Sequence, residues 1–406
     1  MIFRDYYWRK SPFLSTQIPT IMSRDRFNII WRFLHVVNNA TAIMDDKLKK
    51  IRHFLDFLGN KFDTNFIPSG TYTIDESMVK WKGRLSFRQY MPAKPVRFGI
   101  KIWSLCDSVS GYMSKFQIYT GKVNGQAEKN LTTRIVTDLM SPLYHSNAKV
   151  CFDNFYTSFS LLQELYTNSV FAWGTVRANR KGLPKDLLPK TQSKLPKHEF
   201  KVAQKENFLY VIWKDTKNVC FLSNFHSPQA MGVVNRMGAD KRRAQVNVPK
   251  IIDDYQKHMK GVDLCDQNVS YYLPAHKTVK WWRRLFFYLT QVSIVNSYVY
   301  AKASSPLVLK KYPTQLQYIE AVAGGLIGKY RNDNLPTPHY ELNLHPNALH
   351  QVDKIFEKRK VCRECSISKP GSPHHNITTL HGCIVCKIPI HLRCHKDHVA
   401  RVQETL

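Results

Sequence analysis

The chain has 406 residues, which at about 150 residues per domain points to two or three domains. Hydrophobic residues make up 43% and aromatics 12%, enough for a sizeable core and too much for a wholly disordered chain. Lys and Arg number 60 against 30 Asp and Glu, a formal charge of +30, which argues against an ordinary metabolic enzyme with a small-molecule substrate and for a polyanionic partner.

A membrane is a poor candidate for that partner. The most apolar stretch, Phe286 to Val299, is interrupted by Thr290, Gln291, Ser293, Asn296 and Ser297 and falls short of the ~20 apolar residues of a spanning helix. The opening MIFRDYYWRK holds no apolar run fit for a signal peptide. A soluble, nuclear protein with no membrane partner is therefore expected. Five of the nine cysteines, Cys362, Cys365, Cys383, Cys386 and Cys394, crowd the chain from residue 362 onward, while Cys106, Cys151, Cys220 and Cys265 are scattered singly. Paired CxxC spacing in a reducing compartment reads as metal ligation rather than disulfides.

In chain order, residues 1–68 read as mostly helical. Ser23 precedes a segment in which Phe27, Ile30, Phe33 and Leu34 recur at helical spacing, and Asp46 precedes one with Ile51, Phe54, Leu55 and Leu58 on one face; both read as core faces. From Pro68 the texture changes. GTYTIDESMVKWKG, VRFGIKIWSLCDS and GYMSKFQIYTG alternate apolar and polar residues and predict three antiparallel strands. A helix-compatible stretch at 126–140, a buried strand AKVCFDNF, a helix SFSLLQELYTNS and a strand FAWGTVRANR follow. The order β-β-β-α-β-α-β is a mixed α/β pattern. Residues 180–200 read as a lysine- and proline-rich excursion, and FKVAQKENFLYVIWKDTKNVCFLSNF as a β-rich meander. After Tyr255 the chain turns helical, with Leu285, Leu289, Val292, Val295 and Val299 on one face of a helix starting near Thr278.

Negative charge is scarce, so its placement is informative. Asp75 sits mid-strand in YTIDES and Asp153 ends the strand VCFDN, both with apolar flanks where a carboxylate is costly unless paired or holding a cation. Asp263 and Asp266 lie three apart, on one face of a helix start. Acids converging from two strand ends and a helix suit Mg²⁺, and two such ions can clamp an in-line phosphoryl displacement. A single aspartate at a strand end is more often a cap or ion-pair partner, and both readings stay open on the residues alone.

The basic residues form two groups. Lys80, Lys82, Arg84 and Arg88 follow the Asp75 strand and Lys94, Arg97 and Lys101 continue the run; Lys277, Lys280, Arg283 and Arg284 surround Trp281 and Trp282. Such cations grip phosphates without sequence preference, and aromatics can stack on unpaired bases, although tryptophans are more often packed in a core. In the tail, Cys362, Cys365, Cys383, Cys386, His391, Cys394 and His398 are spaced as Zn²⁺ ligands. Two closed sites need an eighth; His345, His374 and His381 are the rivals.

TIDESMVKWKGRLSFRQYMPAKPVRFGIKIWSLCDSVSGY, CFDNFYTSFSLLQEL, YQKHMKGVDLCDQ and KTVKWWRRLFFYLTQVSIVNSYVYAK, in this order and followed by the cysteine-rich tail, resemble the successive blocks of piggyBac-type transposases and of the genes derived from them. The resemblance implies an RNase H-like DDE/D core over 69–179 and 246–267, interrupted by a β-rich insertion at 180–245. It implies a helical dimerisation and DNA-binding domain split between 1–68 and 268–340, a linker at 341–361 and a zinc finger at 362–398. Asp75, Asp153 and Asp263 match the catalytic acids that hold two Mg²⁺, with Asp266 accompanying them. Position 345 falls where relatives often carry a His block, which makes His345 the eighth ligand of two Zn²⁺, and His391 stands where relatives usually have Cys.

The implied partners are double-stranded DNA, as transposon ends and TTAA sites, and a second copy of the chain. The implied reaction is cut-and-paste: water frees a 3′-OH, which attacks the opposite strand to form a hairpin, and the ends later join a new TTAA. Two departures stand out. Relatives usually carry a long acidic region before the first helical block, whereas this sequence starts inside it, and Lys260 replaces a usual glycine. An active transposase, a truncated or domesticated and catalytically silent DNA-binding or chromatin protein, and a nuclease without end-joining are the readings left open.

Overall fold

The computed structural model describes residues 7–9, 16–38, 43, 45–92, 94–122, 126, 128–237, 242–274, 277–304 and 311–328, and in the tail 352–354, 356–357, 360–362, 378–383, 388–390 and 394. They fall into two compact units, residues 30–296 and residues 2–29 with 297–406. The boundary expected at residue 68 lies inside the first.

After the short helix α1 (Ile18–Ile21), helix α2 (Arg24–Phe33) carries the predicted Phe27/Ile30/Phe33 stripe. The stripe is a core face only in part: Leu34 packs against the core and Phe27 is half-buried with its ring 5.1 Å from that of Trp8, but Ile30 is 48% and Phe33 67% exposed. Periodicity marks one side of a helix as apolar; it cannot say that the same chain supplies a cover. Helix α3 (Arg52–Thr64) behaves as read. Asp46 accepts the Leu48 amide at 2.9 Å and pairs with Arg52 at 2.8 Å, and Ile51, Leu55, Leu58 and Phe62 are buried.

The body of this unit is one nine-stranded sheet. Strand β1 (Thr71–Lys80), the short β2 (Gln89–Tyr90), β3 (Phe98–Asp107) and β4 (Met113–Ile118) precede α4 (Leu131–Met140); β5 (Lys149–Phe152), α5 (Phe159–Thr167) and β6 (Phe171–Thr175) complete the first half. β1 is antiparallel to β3 and parallel to β5, and β5 is parallel to β6. The predicted alternation of strands and helices is therefore present. Strands β7 (Phe200–Lys205), β8 (Phe208–Lys214) and β9 (Asn218–Ser223) then extend the same sheet, because β9 pairs antiparallel with β6. The segment expected as an insertion at 180–245 is thus divided: its first strands lengthen the sheet, and only the hairpin β10 (Met231–Met237) and β11 (Arg243–Pro249) leaves it.

Because side chains alternate along a strand, each central strand feeds two cores. Tyr72, Ile74, Trp103, Leu105, Val150 and Phe152 pack with α4 and α5 on one face. Val79, Ile100, Ile102 and Cys106 pack on the other with α3, α7 (Gly261–Tyr272) and the first half of α8 (Trp281–Ser304). Farther along that second face, Cys151, Trp173, Val211 and Phe221 meet the β10–β11 hairpin and α6 (Lys250–His258). The buried α8 stripe of Leu285, Leu289, Val292 and Val295 matches the sequence reading, and Asn296 bonds both the amide and the carbonyl of Met113 at 2.9 Å.

In the second unit, Tyr298, Tyr312, Tyr318 and Ala321 form a small cluster around helix Gln315–Ile327, whose start is closed by a Thr314–Gln317 capping box. Among the described residues no helix is long and apolar enough to cross a membrane.

Candidate active site

The sheet register assembles the site. Ile74 pairs with Phe152 across the parallel β1–β5 ladder, so the next residues, Asp75 and Asp153, stand level on neighbouring strands about 5 Å apart. Asp75 shares the face of Thr73 and Val79, on which α7 lies. Asp153 leaves its strand into a tight turn: its Oδ1 accepts the Phe155 amide at 2.8 Å and its carbonyl accepts the Thr157 hydroxyl at 2.8 Å. The cap role open to such a residue is thus partly realised in Asp153.

Helix α7 carries the other two acids, and it comes unusually close to that face. A Cβ on Gly261 would lie 2.9 Å from both the Asp107 carbonyl and Thr73 Oγ1, and one on Gly111, whose φ is +72°, would lie 2.9 Å from Leu264 Cγ. The α6–α7 turn is pinned by Thr73 Oγ1 donating to the His258 carbonyl at 2.5 Å and by Ser108 Oγ at 2.9 Å from His258 Nδ1. Asp263 is exposed in the first turn of α7. Asp266 turns inward and accepts the Tyr288 hydroxyl at 3.0 Å.

Burial without full compensation marks Asp75, Asp153 and Asp266. It pushes Asp75 up to about 7 against the pull of Lys94, with Glu76 adding to the rise. Burial also raises Asp153, opposed by the Phe155 amide, and raises Asp266, opposed by Tyr288. Glu76, which the sequence reading passed over, points to the opposite face, where Tyr156 donates to it at 3.1 Å and Lys101 Nζ lies 3.8 Å away. Its only sequence signal was adjacency to Asp75 in TIDES.

The donor set is all carboxylate oxygen, the chemistry that a hard divalent cation prefers, and a cation already stands among it: Lys94 Nζ lies 3.7 Å from Asp75 Oδ2. From the sequence, Asp75, Asp153 and Asp263 are expected to hold Mg²⁺. Among the described residues, however, no three His, Cys, Asp or Glu side chains are gathered into a ready cage.

The predicted DNA-gripping residues divide in three. Lys80, Lys82, Arg84, Arg97, Lys277 and Lys280 are exposed. Arg88 is exposed too, with Nη1 donating to the Lys82 and Gly83 carbonyls at 2.9 and 3.2 Å. Lys94 and Lys101 face the acids instead. Arg283 is buried at 5% exposure and donates to the Trp31 and Leu34 carbonyls at 2.5 and 3.2 Å, clasping the end of α2, so in this structure it is a fastener rather than a phosphate contact. Arg284 is half-buried, 3.5 Å from the Pro274 carbonyl. Trp282 is buried in the core. Two cations that the sequence reading missed lie beside Asp153: Arg177 donates to Asn154 Oδ1 at 3.0 Å and Arg180 to the Phe155 carbonyl at 2.5 Å. Their signal was the run RANRK after β6.

In the tail, Val352–Lys354 pairs with His381–Cys383 and Lys360–Val361 with Thr378–Thr379. Cys362 and Cys394 are buried together with Ile390. Cys365, Cys386, His391, His398 and His345 lie outside the described residues, as does the side chain of Cys383.

The fold is that of a transposase. A cryo-EM piggyBac transposase synaptic complex with hairpin DNA matches with a TM-score of 0.62 over 94% of this chain and 82% of that one, at 22% identity. A family model described as Transposase IS4 matches residues 3–298. The chain belongs to this family, among the piggyBac-type transposases and piggyBac transposable element-derived proteins. Human piggyBac transposable element-derived protein 3 is 26% identical over 97% of this chain and 66% of its own length; human protein 2 is 28% identical over 73% and 51%. The chain thus spans between about half and two thirds of the length of these curated relatives.

Proposed function

We propose that the chain is a piggyBac-like DNA transposase of the nucleus, working as a homodimer on double-stranded DNA at TTAA sites by way of a hairpin intermediate. The β4-β3-β1-β5-β6 order supports an RNase H-like core. The observation that carries the reading is the register that sets Asp75 level with Asp153, because strand transfer needs carboxylates held in fixed positions, here by a strand and by the tight turn that leaves its neighbour.

Asp75, Asp153 and Asp263 would hold two Mg²⁺, which when bound supply stabilisation of the attacking and leaving oxygens. Asp266, tied to Tyr288, fixes the rotation of α7 and with it the place of Asp263. Lys80, Lys82, Arg84, Arg97, Arg177, Lys277 and Lys280 grip the phosphate backbone. Cys362, Cys365, Cys383, Cys386, His391, Cys394, His398 and His345 would hold two structural Zn²⁺ in a finger that reads the transposon ends; the shared burial of Cys362 and Cys394 supports it.

A second reading, a domesticated DNA-binding protein without cleavage, is favoured by the names of the human relatives, which are transposable element-derived. The two separate in one experiment. Purified protein is given Mg²⁺ and DNA carrying the sequence that flanks its own gene, with TTAA ends. Nicks and hairpins at the TTAA junction, absent with Asp153→Ala while binding persists, are the expected result. Binding without cutting by the unaltered chain establishes the second reading.

A further inference from the structure

Resting on that reading of the acids as a divalent-cation site, we infer that the Lys94 ammonium and the divalent cation compete for the Asp75 carboxylate, so that Lys94 must swing out before the site loads. Lys94 Nζ lies 3.7 Å from Asp75 Oδ2 and donates to the Glu76 carbonyl at 3.1 Å. Both side chains are mostly covered, at 30% and 25% exposure. The charge of Lys94 acts more weakly on Asp153 and Asp266 as well. Lys101 is not an alternative for the role. It is 3.8 Å from Glu76 on the other face, laid over the rings of Trp103 and Phe155 at 5.4 and 5.1 Å.

The segment that carries Lys94 is built to let the side chain move while the backbone stays. Pro92 and Pro95 flank it, each with a fixed φ. Met91 N bonds the Arg97 carbonyl at 2.8 Å and Lys94 N bonds the Met91 carbonyl at 3.2 Å, closing the turn. A lysine on a four-carbon stem can leave at little cost, since its head is already partly in water. Once displaced, the same ammonium sits at the rim, where DNA phosphate would receive it.

The test measures Mg²⁺ and Mn²⁺ binding to the full chain by calorimetry, together with melting in EDTA and in Mg²⁺. Lys94→Met is expected to bind Mg²⁺ about tenfold more tightly, since a charge less than 4 Å away is removed. It should also melt lower than the unaltered protein in EDTA and recover in Mg²⁺. Lys94→Arg should stay within about threefold of the unaltered protein. Unchanged or weaker binding by Lys94→Met overturns the inference. If Mg²⁺ binding is lost with Asp153→Ala yet indifferent to Lys94→Met, the inference alone fails and the cation site stands. If neither metal binds any variant, both fail. Amine labelling of Lys94 in the unaltered protein needs no variant to fold: labelling should rise when Mg²⁺ is added, and an unchanged rate refutes displacement.

Discussion

Two groups of covered aspartates, on the sheet and on the helices packed against it, have opposite electrostatics. Where the central strands β1 and β5 meet α7, Asp75, Asp153 and Asp266 are raised by burial that their partners do not fully offset. On α6, burial also acts on Asp253 and Asp254, but their partners win. Lys250 and Lys257 each stand 2.7 Å from Asp253, and Asp254 is held by His226 at 3.2 Å and Lys250 at 3.0 Å. Asp253 is lowered, and Asp254 falls to about 2. Even the Ser223–His226–Asp254 line, which has the makings of a hydrolytic triad, belongs to the fastened group. Ser223 is wholly buried, its Oγ also accepts the Phe225 and His226 amides at 3.2 Å, and burial holds His226 low and neutral. A satisfied acid is a joint; an acid left short of partners is available for a ligand.

That contrast can be broken in several ways. The largest effect is on cleavage. Asp75→Asn should lower DNA cutting by about a thousandfold, several kcal/mol of lost charge stabilisation, while the same change at Asp253 leaves the chemistry intact in a DNA-nicking assay. Next is the approach of α7: Gly261→Val must push the helix off the Asp107 carbonyl and Thr73, costing about 2 kcal/mol in urea unfolding and cutting activity with it.

The pH dependence of stability sharpens the comparison, because the two groups carry opposite signs. Asp254 has a folded value below the usual 3.8. Its contribution, about 2 kcal/mol, is fully present above that value and is lost as pH falls through about 2. Asp254→Asn should therefore be weaker than the unaltered protein at neutral pH and converge with it in acid. Asp75 is raised to about 7. Between 3.8 and about 7 the folded state keeps a proton that the unfolded chain has lost, so its penalty grows as pH rises and is complete above about 7. Asp75→Asn should thus be more stable than the unaltered protein at pH 8 and equal to it near pH 3. Equal pH curves for the two variants would remove the distinction between joint and site.

The smallest effect separates the basic residues. Arg283→Met should cost about 1 to 2 kcal/mol of stability by freeing the α2 carbonyls without changing the salt dependence of DNA binding. Arg84→Ala should reduce the salt slope by about 1 and leave melting unchanged.

Much of the first half of the sheet was legible beforehand, because strand alternation and helical periodicity are local properties of a segment. The β1, β3 and β4 strands, the α5 and α8 stripes, and the positions of Asp75 within a strand and Asp153 at a strand end follow from them. The sequence alone determined that a strongly basic chain holds a few acids on strands and a helix start. Only the tertiary structure decided which charges answer which. Lys94 and Lys101 turn to the acids, Arg283 is spent on helix carbonyls, Glu76 joins the site from the other face, and the apolar stripe of α2 is covered only in part. Those outcomes depend on register and on close helix–sheet approach, which bring together residues far apart in the chain. Charge pairing and burial act through space, and no periodicity along the sequence records them.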